Sequence, residues 1–131
     1  MNRTFHNRDK AAQLISFKNL QWEKISATDI DFVIEIHNKL FIFGECKHGN
    51  SELPFGQKLA LERIVDLIGE TKTAVLLVFT HDTPVGQDID AGNCIVREFR
   101  FNKQWHKETQ GRTVKEFCDK LIEKYELQRR N

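Results

Sequence analysis

From residue 29 to 37 polar and apolar positions alternate. Ile30, Phe32, Ile34 and Ile36 fall on one side, and Asp29, Asp31, Val33, Glu35 and His37 on the other. Period-two alternation marks a β-strand with one buried face. Asn38-Lys39 is turn chemistry, and Leu40 to Lys47 (LFIFGECK) is the returning strand of a hairpin. Leu20 to Ser26 (LQWEKIS) also alternates and predicts an earlier strand. Thr73 to Thr80 (TAVLLVFT) is a nearly continuous apolar, β-branched run, the pattern of a central strand covered on both faces. Cys94 to Phe101 predicts one more strand.

Helical spacing recurs in three segments. Asp9 to Ser16 predicts a short first helix. A second starts at Pro54, whose missing N–H has no partner to lose in a first turn. It runs to about Ile68 with an apolar stripe of Leu61, Ile64, Val65 and Ile68, and Gly69 is its stop. The last runs from about Arg112 to Leu127, with Val114, Phe117, Cys118, Leu121, Ile122 and Tyr125 on one face. Residues 48–53 and 81–92 read as loops. The order α-β-β-β-α-β-β-α predicts an α/β fold with a mixed central sheet flanked by helices.

Length and composition narrow the class. A chain of 131 residues predicts a single domain spanning residues 1–131. With 40% hydrophobic and 30% charged residues it is expected to be globular and not disordered. Three widely spaced cysteines, Cys46, Cys94 and Cys118, argue against a disulfide framework or a zinc site. There is no apolar run of the roughly 20 residues that a membrane helix needs, and residues 1–8 lack the apolar core of a secretory signal. The expectation is a cytoplasmic protein without membrane contact.

The formal charge of +1 excludes a protein that binds a polyanion through overall charge. Charge is nevertheless segregated. Arg97, Arg100, Lys103, Lys107 and Arg112 are opposed in their stretch by Glu98 and Glu108 alone, with Trp105 and His106 interleaved. Cations mixed with an aromatic suit a phosphate backbone and a stacked base. Such contacts predict affinity for nucleic acid without sequence readout.

The hairpin carries the candidate chemistry. Glu45 and Lys47 share a face by period two, with Cys46 opposite. If His37, Asn38 and Lys39 form the connection, Ile36 pairs with Leu40 and Asp31 lands opposite Glu45. The other face is then Ile30, Phe32, Ile34, Ile36, Leu40, Ile42, Gly44 and Cys46, almost wholly apolar, which supports that register. A two-residue connection would slip the register and separate the two acids, unless a bulge restored them. Neighbouring carboxylates repel each other unless a cation lies between them, and hard oxygen donors suit Mg²⁺ or Mn²⁺. Lys47 could position a water or offset charge on a phosphate. The constellation predicts metal-assisted phosphodiester hydrolysis. His48, which follows directly, could touch a phosphate. The same spacing at Glu70-Thr71-Lys72 falls between a helix and a strand and reads as solvated loop.

The stretches Ile25–Glu35 (ISATDIDFVIE) and Ile42–Lys47 (IFGECK) resemble the PD-(D/E)XK nuclease superfamily. The resemblance implies a restriction-endonuclease-like αβββαβ core from Asp9 to about Thr80, with an extra C-terminal strand and helix that it does not cover. It implies that Asp31 and Glu45 bind metal, with the backbone carbonyl of Cys46, and that Lys47 is catalytic. Ile30 stands where the motif's name has proline, and Asp29 is a near neighbour that could assist. Gln57 resembles a glutamine of resolvase-like and phage members, and Gly56–Arg63 (GQKLALER) is similar to small phage nucleases of the superfamily. Asp9 corresponds to an acid that some members carry on the first helix. The implied activity is Mg²⁺- or Mn²⁺-dependent cleavage of DNA with structure or weak sequence selectivity, by a phage-encoded protein acting in the host cytoplasm. Two other readings stay open. One is a nuclease-fold accessory module whose site is no longer used. The other is a branched-DNA (Holliday junction) resolvase, which needs a homodimer to present two sites.

Overall fold

Residues 13–130 are described in the computed structural model, with side chains through residue 126. The first half of the expected helix at Asp9–Ser16, Asp9 included, lies outside them, and residues 13–16 are irregular. The first ordered pairing is a two-residue hairpin, β1 (Gln21–Trp22) with β2 (Ile25–Ser26), in which Trp22 faces Ile25. It forms its own small sheet. The strand expected over 20–26 is therefore corrected. Glu23 adopts a left-handed φ of 51° and folds the segment back on itself, so it does not join the central sheet as the first of three core strands.

The main sheet has the order β3-β4-β5-β6-β7, formed by Phe32–Ile36, Leu40–His48, Thr73–His81, Ile95–Phe101 and Gln104–Lys107. β4 and β5 are parallel, joined through helix α1 (Phe55–Gly69), and the other neighbours are antiparallel. The sheet is thus mixed, as expected. β5 lies at its centre, and Ala74 to Phe79 are all buried, which is why that segment has no polar alternation. β7 occupies a stretch that read as a connection. Asn102 and Lys103, with φ of 54° and 64°, turn the chain in two residues and pair Phe101 with Gln104.

Each face of the sheet is covered by one helix. Leu40, Ile42, Val75, Leu77, Phe79 and Val96 pack with Phe117 and Cys118 of α2 (Val114–Arg130). On the other face, Phe43, Ala74 and Leu76 pack with Leu61 and Val65 of α1. Thr113 and Glu116 start α2 reciprocally. The Thr113 hydroxyl accepts from the Glu116 N–H at 3.1 Å, and Glu116 Oε1 accepts from the Thr113 N–H at 3.0 Å. Ile30 departs from the expected alternation. The chain bends at Asp31, and Ile30 packs against the α1 cluster instead of joining Phe32 on the other face. No described helix is long and apolar enough to cross a membrane.

Candidate active site

The odd-numbered side chains of β4 point to the α1 side of the sheet. Phe41 and Phe43 pack under the helix, and Glu45 and Lys47 continue the row toward the helix's N-terminal end. The hairpin pairs Ile36 with Leu40 and Phe32 with Gly44. His37 and Asn38, both at left-handed φ, make the turn, and the Lys39 N–H donates to the Ile36 carbonyl at 2.9 Å. One step further along this register brings Asp31 opposite Glu45. There β3 has ended, and Asp31 Oδ2 accepts from the Cys46 N–H at 2.7 Å in place of a strand partner. The Cys46 carbonyl points to the same edge, because the N–H and C=O of one strand residue face one neighbour. Gly44 makes this possible: the Phe32 ring lies where a Cβ at residue 44 would be.

Glu45 is a buried charged residue, 3% exposed. Gln57, in the first turn of α1, lies across it. Gln57 Nε2 donates to Glu45 Oε1 at 2.9 Å and to the Asp29 carbonyl at 3.3 Å, while Gln57 Oε1 accepts from Lys47 Nζ at 3.3 Å. Lys47 Nζ stands 3.6 Å from the same Glu45 Oε1. Glu45 Oε2 is buried and has no hydrogen-bond partner among the described residues. Burial, and then the Asp31 carboxylate, push the Glu45 pKa up; Gln57 and Lys47 oppose that rise, and Asp29 adds to it.

An ion pair built for stability would satisfy both carboxylate oxygens, since leaving one bare in the interior is costly. The bare Oε2 beside Asp31 fits a hard cation. Among the described residues no three His, Cys, Asp or Glu side chains converge as a closed cage. The donors here are two facing carboxylates and a backbone carbonyl, a set suited to an ion that keeps several waters, as Mg²⁺ does. Burial raises all three thiols, Cys46 and Cys118 to about 11, so none is an activated thiolate. Compared with models of known protein families, with curated proteins and with solved structures, the chain matches none.

Other residues singled out in the sequence fall elsewhere. His48 ends β4 on the opposite face from Glu45 and Lys47, and its ring packs edge-on against His81 at 5.1 Å between centroids. Period two thus places His48 on the other face of the sheet from Glu45 and Lys47. Asp29 reaches the site through its carbonyl and, at 3.5 Å from Gln57 Nε2, its Oδ1.

The basic stretch does not form a free cationic surface. Arg100 makes two hydrogen bonds to Asp66, at 2.9 and 2.7 Å, and Arg112 makes two to Glu108, both at 2.8 Å. Lys103 stands 3.6 Å from Glu70. Arg97 Nη1 donates to the Ser51 carbonyl at 2.7 Å, leaving Nη2 3.9 Å from Glu52 without a hydrogen bond. The Trp105 indole N–H donates to Glu62, and Lys58 lies 5.0 Å from its ring centroid. Of the five cations, Lys107 makes no ion pair with a described residue. Four of these acids, Glu52, Glu62, Asp66 and Glu70, lie in or next to α1 and are distant in sequence, so a count along residues 97–112 could not reveal them.

The sequence reading passed over Lys24 and Arg63, which line a cleft between the β1–β2 hairpin and α1, next to Asp29 and Gln57. The signal was present in α1: Gly56, Ala60 and Arg63 are four and then three residues apart, one helical face of small side chains ending in a cation.

Proposed function

We propose that this chain is a divalent-cation-dependent nuclease that hydrolyses phosphodiester bonds in DNA, with a PD-(D/E)XK-type site on a restriction-endonuclease-like core. The observation that carries the reading is Glu45, held in the interior beside Asp31 with Oε2 unpartnered. Asp31, Glu45 and the Cys46 carbonyl would hold the cation. Mg²⁺, or Mn²⁺ in its place, would polarise a phosphoryl oxygen and acidify a water.

The chain's own groups do the rest. The Cys46 N–H pins the Asp31 carboxylate at the strand end. Gln57 presents its amide donor to Glu45 and its acceptor to Lys47, which fixes the relative placement of carboxylate and ammonium. Lys47 Nζ orients the attacking water and offsets the negative charge that grows on the phosphate as the P–O ester bond breaks. Three protonated thiols argue against a cysteine nucleophile at neutral pH.

The test is incubation with plasmid, single-stranded and branched DNA, in Mn²⁺ and in chelator. Cleavage is expected in Mn²⁺ alone, and Lys47→Ala is expected to slow it about a hundredfold or more. If no substrate is cut, or if Lys47→Ala cuts like the parent, the proposal fails. Preference for the branched substrate together with a dimer in sedimentation would select the resolvase form of the reading.

A further inference from the structure

The cleft between the β1–β2 hairpin and α1 encloses about 610 Å³. That is the size of a site for a single small ligand, on the order of one or two nucleotides. Its inner end is formed by Asp29 and Gln57, and Gln57 hydrogen-bonds Glu45. Its walls carry Lys24 from the hairpin and Arg63 from α1, and neither makes an ion pair with any described residue. Gly56 and Ala60 line the helix side, where their small side chains let a backbone approach closely.

Two exposed aromatic residues stand next to positions that line this cleft, without lining it themselves. Trp22 is 60% exposed and sits directly opposite Ile25, which lines the cleft, so both are on one face of the hairpin. Phe55 is 80% exposed between Pro54 and Gly56, which also line it. Unpaired cations in a groove with exposed aromatics at its margins are the features that bind single-stranded nucleic acid, where cations follow the phosphates and rings stack on bases. Trp105 and the arginines of residues 97–112 cannot serve this purpose, because intramolecular acids already hold most of them.

We propose that this cleft is the channel through which a single strand of DNA reaches Glu45 and Lys47, with Lys24 and Arg63 on its phosphates and Trp22 and Phe55 stacking on its bases. The direction of the channel rests on the nuclease reading. The preference for single strands rests on the cleft itself, which at about 610 Å³ has room for one or two nucleotides of a single strand and not for a base-paired duplex.

Binding is measured in chelator, where no cleavage occurs, by fluorescence anisotropy of a fluorescein-labelled oligothymidylate and of a blunt duplex of equal length. The single strand is expected to bind about tenfold tighter or more. Trp22→Ala is expected to weaken it about fivefold or more. Lys24→Ala and Arg63→Ala are each expected to weaken it and to reduce the slope of log affinity against log salt by about 0.7. Thermal melting of the three variants should match the parent, since all three side chains lie at the surface. The proposal is overturned if the duplex binds as tightly as the single strand, if neither binds, or if the folded variants bind like the parent. Binding with these dependences but no cleavage in Mn²⁺ would support the channel and remove the nuclease reading. Cleavage indifferent to all three substitutions would retain the nuclease reading and remove the channel.

Discussion

At Glu45, ionisation works against folding. Burial, and then the facing Asp31 carboxylate, raise its pKa from an ordinary 4.5, and one of its oxygens has no hydrogen-bond partner among the described residues. A group whose pKa is higher in the folded than in the unfolded state favours folding when protonated. Its contribution is most favourable below 4.5 and is lost as pH rises through the folded value. Glu45→Gln keeps an oxygen for the Gln57 amide and removes the charge. It is therefore expected to be more stable than the parent at neutral pH by about 1 kcal/mol. That advantage should shrink as pH falls through the raised pKa and vanish below 4.5, which thermal melts across the acid range would read. Mn²⁺ should reverse the order. At ten times its Kd it would stabilise the parent by about 1.4 kcal/mol and leave Glu45→Gln nearly unchanged. The placement of Glu45, Lys47 and Asp31 on one face was legible from period two and the length of the connection. The bridging by Gln57 was not, because nothing in the periodicity of α1 says that its first turn lies over the end of β4.

Between elements, the contact that seats Asp31 is the Phe32 ring lying across Gly44. Gly44→Ala would put a methyl group into that ring and push it from Phe79, its neighbour at 5.7 Å. The expected cost is about 2 kcal/mol in chemical denaturation. Adding Phe32→Ala should then cost less than it does in the parent, since the two residues share one space. Thr113→Ala removes the hydroxyl that caps α2 and is expected to cost about 1 kcal/mol. β3, β4, α1 and β5 could be read from the sequence within a few residues because each buries a face whose period shows in the pattern. β1–β2 and β7 could not. Their turns at Glu23 and at Asn102-Lys103 use left-handed backbone without glycine, and a hairpin of two-residue strands alternates just as one longer strand does.

For the molecule as a whole, the charge of +1 conceals an arrangement that the order of residues does not reveal. Arg100 and Arg112 of the basic stretch are turned onto acids of α1 and onto Glu108, while Lys24 and Arg63, which make no ion pair with a described residue, lie at the cleft. Hydrogen bonds from Arg100 hold the Asp66 carboxyl below its ordinary 3.8, and those from Arg112 hold Glu108 below 4.5. Carboxylates depressed in this way stabilise the fold above their unfolded pKa values, and that stability is lost as pH falls through the folded ones. Arg100→Ala is expected to cost about 2 kcal/mol at neutral pH. It should lose less than the parent does on acidification and leave the affinity for single-stranded DNA unchanged.

On the nuclease proposal, the buried carboxylate serves cation-dependent hydrolysis and not the stability of the hairpin. The most direct test is the rate of DNA cleavage in Mn²⁺ by the parent and by Glu45→Gln under identical conditions. The parent is expected to cut, and Glu45→Gln, folded and more stable, to be slower by about a hundredfold or more. Equal rates, or a parent that cuts nothing, would contradict it.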